Sequence, residues 1–164
     1  MIITILSICT NGMTLTTFFT TRTLWTPFNV YVINLLVSNL LFLVLRGPIN
    51  LLNNIYNRWP LSNGACTLLN FGNACLSGPI YFTHLLISLD RLWATYKPVH
   101  YRQYHNFKVS ILMCVAVYLY VYANVLPVIV LEALYYRIPV ETNPCYFNPS
   151  KFEFFYRIQA IQWD

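Results

Sequence analysis

With 164 residues, 57% of them hydrophobic and only 9% charged, the chain is too apolar for a water-soluble domain, in which about a quarter of residues carry charge. Its net charge of +5 is spread over loops between apolar blocks instead of gathering on one soluble face, which argues against nucleic acid as a partner. The class left is a multi-pass membrane protein, with the lipid bilayer as its first partner.

Charge-free blocks occupy residues 1–21, 23–45, 59–89 and 109–131. At ~1.5 Å per residue, each is long enough to cross ~30 Å of hydrocarbon as a helix. The expected fold is therefore an all-α membrane protein, an antiparallel transmembrane helix bundle. Its four spans lie at about residues 2–21, 28–53, 66–93 and 109–131, with the start of a fifth at about 152–164. Residues 1–21 lack the basic leader and small-residue cleavage site of a signal peptide. The chain opens inside an apolar run and stops at Trp163-Asp164 just after an aromatic one, so the expectation is a single partial domain, 1–164, cut at both ends.

Span one ends at Arg22, and span two begins near Pro27, whose missing N–H costs nothing in a first turn. Within span two, Asn39, Leu43, Arg46, Asn50 and Asn53 share one helical stripe. Amides and a guanidinium are costly in lipid, so this stripe is expected to face protein or water. The plainer alternatives are that Asn39 bonds a neighbouring helix and that Arg46 snorkels to the interface. Span three repeats the pattern, with Asn73, Ser77, Ile80, His84, Ile87 and Arg91 on one stripe. Gly78-Pro79 should kink it midway. His84 reads as a hydrogen-bonded core histidine, because no second histidine lies at membrane depth to share a haem or a metal; no cofactor and no metal are expected. The span closes on Asp90-Arg91, charges at the edge of a long apolar run and therefore functional candidates. Residues 94–108 form a basic loop, span four follows with Pro127 bending or ending it, and residues 132–150 form a polar loop holding Cys145.

Cys66 opens span three and Cys145 follows span four, so both lie on the membrane face opposite the basic loop. A bond between them would require the oxidising, extracellular side. That places loop 94–108 in the cytoplasm and loops 54–65 and 132–151 outside, at the plasma membrane. Positive-inside counting gives five basic residues against four in the same sense.

Taken together these residues resemble the rhodopsin-like family of G-protein-coupled receptors. Asn11 precedes Asn39 by the family's spacing between its first-span asparagine and second-span acid. Asn29, Asn34 and Ser38-Asn39-Leu40 are similar to its second span, and Trp59-Pro60-Leu61 ahead of Cys66 to its first outer loop. Ser88-Leu89-Asp90-Arg91-Leu92-Trp93-Ala94, then Pro98 and Tyr101, resembles its Asp-Arg-Tyr motif and the loop after it. Pro127 and Cys145 fit its fourth span and second outer loop. The ordered set over residues 11–145 carries the resemblance, not any single match.

The resemblance implies a seven-helix receptor that binds an extracellular ligand and signals to a heterotrimeric G protein. Asp90, Arg91, Leu92 and Pro98 would form the G-protein switch, with Asp90 restraining Arg91 until agonist frees it. Arg46, Asn50, Asn73 and Ser77 would line the ligand side, Asn11 and Asn39 would be intramembrane polar positions, and Cys66 would pair with Cys145. Several residues depart from the pattern. Asn39 stands for an acid and Ile80 for a small hydroxyl residue, which puts an allosteric sodium pocket in doubt. Leu92 stands for the motif's tyrosine, Tyr118 for a span-four tryptophan, and Asn73 for the aspartate with which amine receptors hold an ammonium. A buried Arg46 with no acid in the four spans points to an anionic ligand, or to a carboxylate on a later span. The rival reading is a four-span channel or transporter subunit, whose polar pathway usually needs paired charges or several broken helices. An enzyme is not expected, since no Ser/His/Asp set or metal-spaced histidine cluster lies at one depth.

Overall fold

The computed structural model describes residues 2–55, 61–136, 145, 151 and 153, the side chains of Ile2, Asn50, Asn53 and Asn54 excepted. Helix α1, Ile2–Thr20, is rich in hydroxyls. They are compatible with lipid because they bond back to their own helix: Thr10 Oγ1 donates to the Leu6 carbonyl (3.0 Å), Thr14 Oγ1 to Thr10 (2.8 Å) and Thr17 Oγ1 to Met13 (2.9 Å). A 3-10 turn, Arg22–Leu24, follows. Helix α2, Pro27–Ile55, starts where proline predicts, with Thr26 Oγ1 accepting the Asn29 N–H (3.3 Å) as an N-cap.

The third apolar block folds as α3 (Asn63–Phe71), a π-helical turn (Gly72–Leu76) and α4 (Ser77–Tyr96). Regular helix is interrupted in the turn before Gly78-Pro79 and resumes through Pro79. A π turn accommodates one extra residue within the helical path. On α4 the buried residues are Pro79, Thr83 and Asp90, one position earlier than the expected stripe through Ile80, His84 and Arg91, and His84 and Arg91 are exposed. The core histidine expected at position 84 is therefore not found.

The basic loop is also more ordered than expected. It carries a helix of its own, α5 (Pro98–Tyr104), with Pro98 in its first turn. Helix α6, Phe107–Leu131, begins with Asn106 Oδ1 accepting the Val109 N–H (3.1 Å). Pro127 does not end it; the helical path runs on through a second π turn, Glu132–Tyr136, so Glu132 belongs to the span's end and not to a polar loop. Among the described residues three stretches, Ile3–Thr20, Pro27–Ile49 and Phe107–Tyr136, are long and apolar enough to cross a membrane; the third block, split by its π turn, is not among them. Trp59-Pro60, most of loop 132–151 and all but Glu153 of the expected fifth span lie outside the described residues.

The helices contribute to two units, one from Met1–Leu41 with Gly78–Val121, the other from Phe42–Ser77 with Tyr122–Asp164. In the first, Ser110, Cys114 and Val121 mark the buried face of α6 at helical spacing. Gly78 lets that face approach: a Cβ at this position would lie 2.7 Å from Val121 Cγ1. In the second unit, Cys66, Leu69 and Cys145 form one buried cluster, and Cys75 with Ile129 another.

Candidate functional site

In the first unit the buried polar groups converge on Asp90. Its Oδ1 lies 2.9 Å from His105 Nε2, and the two side chains are only 5% and 4% exposed. Its Oδ2 accepts the Tyr101 phenol proton at 2.9 Å. Both carboxylate oxygens are thus engaged by the segment that α5 folds back against α4. The histidine ring is held in turn. It stacks on Tyr101 (centroids 4.4 Å, 17° between planes), meets Trp93 edge-on at 6.2 Å and has Ser110 Oγ 3.2 Å from Nε2. Burial, the bond to Asp90 and that carboxylate's field push the Tyr101 phenol above its ordinary pKa, while Arg91 pulls the other way.

Arg91 does not pair with Asp90. Its guanidinium lies over the Phe28 ring of α2, 3.5 Å from the centroid, a cation–π contact on the exposed side of α4. The acid–arginine bridge expected from the motif is absent among the described residues, because neighbouring residues on a helix diverge by about 100°. Asp90 turns to the buried side and Arg91 away from it.

A second network lies in the same unit. The Tyr118 hydroxyl donates to Asn34 Oδ1 (3.1 Å) and lies 2.6 Å from Ser38 Oγ, which donates to the Asn34 carbonyl (2.8 Å). Asn34 Nδ2 donates to Thr83 Oγ1 (3.0 Å), and Thr83 to the Pro79 carbonyl (2.7 Å). Each hydroxyl carries one proton, so Tyr118 and Ser38 serve three contacts with two protons.

The second unit differs. The structure joins Cys66 to Cys145, with Cα atoms 5.6 Å apart. Beside the disulfide Asn70 is fully buried, its Oδ1 4.0 Å from the Cys145 sulfur and its Nδ2 without a hydrogen-bond partner. Asn73 is buried with neither side-chain atom hydrogen-bonded; Ser77 Oγ bonds only its backbone carbonyl. Arg46 is half-buried, its guanidinium 4.9 Å from the Phe42 ring centroid. Glu132 is completely buried in this unit. A buried acid thus stands at the end of the fourth span, in the same unit as Arg46, where the sequence reading counted none.

Residues 10–162 match the family model of the seven-transmembrane receptors, rhodopsin family. The chain belongs to that family. The 5-hydroxytryptamine receptor 1B of Mus musculus is 31% identical over 128 residues, 77% of this chain and 33% of that protein. A rhodopsin of Camponotus atriceps is 31% identical over 87 residues (53% and 23%), and a melanopsin of Podarcis siculus 30% over 110 (67% and 23%). The chain thus spans about a quarter to a third of the length of these relatives.

Within this rhodopsin-family chain the predicted positions separate. Asp90 and Arg91 sit in the first unit with Leu92, exposed, and Pro98, in the first turn of α5. Asn11 Nδ2 bonds its own helix at the Ser7 carbonyl (2.7 Å), and Asn39 is half-buried with no side-chain bond among the described residues. Arg46, Asn73 and Ser77 belong to the second unit; the Asn50 side chain lies outside the described residues. The engaged residues that sequence reasoning left without a role are Tyr101, His105, Ser110, Tyr118 and Thr83. The readable signals were the tyrosine standing where the family has tryptophan and a histidine at the junction of two helix-capping segments. Neither identifies its partner.

Proposed function

We propose that this rhodopsin-family chain is the ligand-binding and switch-bearing part of a receptor that responds to an extracellular ligand by activating a heterotrimeric G protein at the plasma membrane. The observation that carries the reading is the Asp90-Arg91 pair: the acid buried and doubly bonded, the arginine turned outward. An exposed arginine beside Lys97, Arg102 and Lys108, all exposed, suits a negatively charged cytoplasmic partner. The α5 segment would then be cytoplasmic. The Cys66–Cys145 disulfide would lie outside, where it can persist.

On the ligand side, Asn73 is the favoured anchor. A buried amide with no bond costs about 1–3 kcal/mol, a debt that a hydrogen-bonding ligand would relieve. Arg46 and Ser77 are its companions in the same unit, and Glu132 adds a buried acid that sequence reasoning did not count.

The test is nucleotide exchange on purified heterotrimers of each Gα class, driven by the full-length protein in nanodiscs. Exchange above empty nanodiscs in at least one class is expected, with loss on Arg91→Ala at unchanged surface expression. Silence with every class would remove the signalling reading. In cells, Arg46→Ala should abolish the response to any agonist found while expression survives; unchanged potency would take Arg46 out of the ligand site.

A further inference from the structure

We propose that His105 is the positioning residue of this chain's switch: it holds Asp90, in the place where the adjacent Arg91 would be expected, so that the resting lock lies at the corner of α4, α5 and α6. The proposal rests on the signalling reading above for its consequence, and on geometry for its existence.

Three observations converge. The carboxylate has two oxygens, and both are taken, one by His105 Nε2 and one by Tyr101, each at 2.9 Å. The histidine is fixed on every side, by the Tyr101 stack, by Trp93, by Tyr31 of α2 at 6.2 Å and by Ser110 of α6. Lastly, Arg91 is engaged elsewhere, 3.5 Å from the Phe28 centroid. A buried carboxylate that already has its hydrogen bonds gains little from a further cation, whereas removing one of its partners leaves a charge uncompensated. Ionisable neighbours of the pair are Tyr31, Tyr101, Arg91 and Cys114.

The consequence concerns what a ligand must do. If Asp90 restrained Arg91, activation would have to break that bridge. Here Arg91 is already outside the carboxylate's reach, and the element that must yield is α5, whose end carries His105. Segment Lys97–Asn106 becomes the lock and Arg91 the contact surface.

A double-mutant cycle tests this in the full-length protein in nanodiscs, read by thermal unfolding. Asp90→Asn and His105→Phe should be strongly non-additive, the double variant melting no lower than the worse single one. Asp90→Asn and Arg91→Met should add. Additivity of the first pair, or coupling in the second, overturns the proposal. Histidine-selective 15N NMR of the unmutated protein supplies a readout that needs no folded His105 variant. The signal assigned to His105 Nε2 should shift in Asp90→Asn and stay put in Arg91→Met; the reverse pattern also overturns it. Basal nucleotide exchange gives the functional arm. His105→Phe should raise it on the order of fivefold and His105→Gln, which keeps an N–H donor, should restore the resting level. A basal rate indifferent to His105, in a protein that does drive exchange, overturns the lock. Exchange absent in every variant removes the signalling reading and leaves the cycle and the NMR to decide where Asp90 is held.

Discussion

Asp90 and Asn73 lie on one continuous helical run and both are buried, yet their surroundings are opposite. Both carboxylate oxygens of Asp90 have found partners within the protein, and Tyr118, Asn34, Ser38 and Thr83 repeat that economy in the same unit. Around Asn73 the chain is cross-linked by a disulfide, but the amides of Asn70 and Asn73 are left with bonds unmade. A fully satisfied buried network specifies one arrangement and resists change. An unsatisfied one is costly and calls for a completing partner such as a water, an ion or a ligand. On the proposed reading, the contrast separates a region that holds a shape from a region that would accept a ligand.

Removing the disulfide tests the second region hardest. Cys145→Ser opens a cross-link between residues 79 apart in sequence. On the chain-entropy model it should cost about 4 kcal/mol, seen as a large fall in melting temperature and surface expression. Reductant should reproduce the fall in the unmutated protein and do nothing further to the variant. Tyr118→Phe tests the first region. Loss of the hydroxyl leaves Asn34 Oδ1 unbonded and should cost about 1 kcal/mol in thermal unfolding. A neutral result would show the network to be less closed than its distances indicate. Asn73→Leu should behave in the opposite sense to Tyr118→Phe. Replacing an unbonded buried amide by an apolar side chain of similar size should leave stability unchanged, or raise it by less than about 1 kcal/mol, while agonist response is lost. Equal destabilisation by the two variants would erase the distinction between the regions. The smallest effect concerns pH. The Tyr101 phenol is raised in the folded state, so its contribution is complete below the ordinary tyrosine pKa of about 10 and is lost as pH climbs from there toward the raised value. Melting temperature should fall with pH in that alkaline window, and Tyr101→Phe should flatten the slope.

Much of this was legible beforehand, for physical reasons that differ by residue. Span positions follow from the cost of charge in hydrocarbon, and α1, α2 and α6 begin or end within a few residues of the expected limits. The disulfide pairing came with the family resemblance. Helix α5 was hidden because a seven-residue helix carries too few turns for a period to emerge and its proline reads as a loop residue. His84 was misassigned because two adjacent stripes of this span both carry polar residues and the period does not say which is buried; the structure buries Thr83. His105 and Glu132 were missed for a common reason: each stands just beyond a predicted boundary, and side chains at helix ends are placed by the path of the chain, not by a repeat.

The π turn at Gly72–Leu76 has a further consequence, for tolerance to insertion and deletion. A π turn holds one residue more than a regular turn, so deleting one there would restore regular helix and leave the following side chains in phase; deleting one between Thr83 and Asp90 would instead turn Asp90 by about 100° relative to Thr83. Length can thus vary by one residue at the π turn but not within α4, where a one-residue change would put the corner out of register with the rest of the helix without altering a single residue of the corner itself.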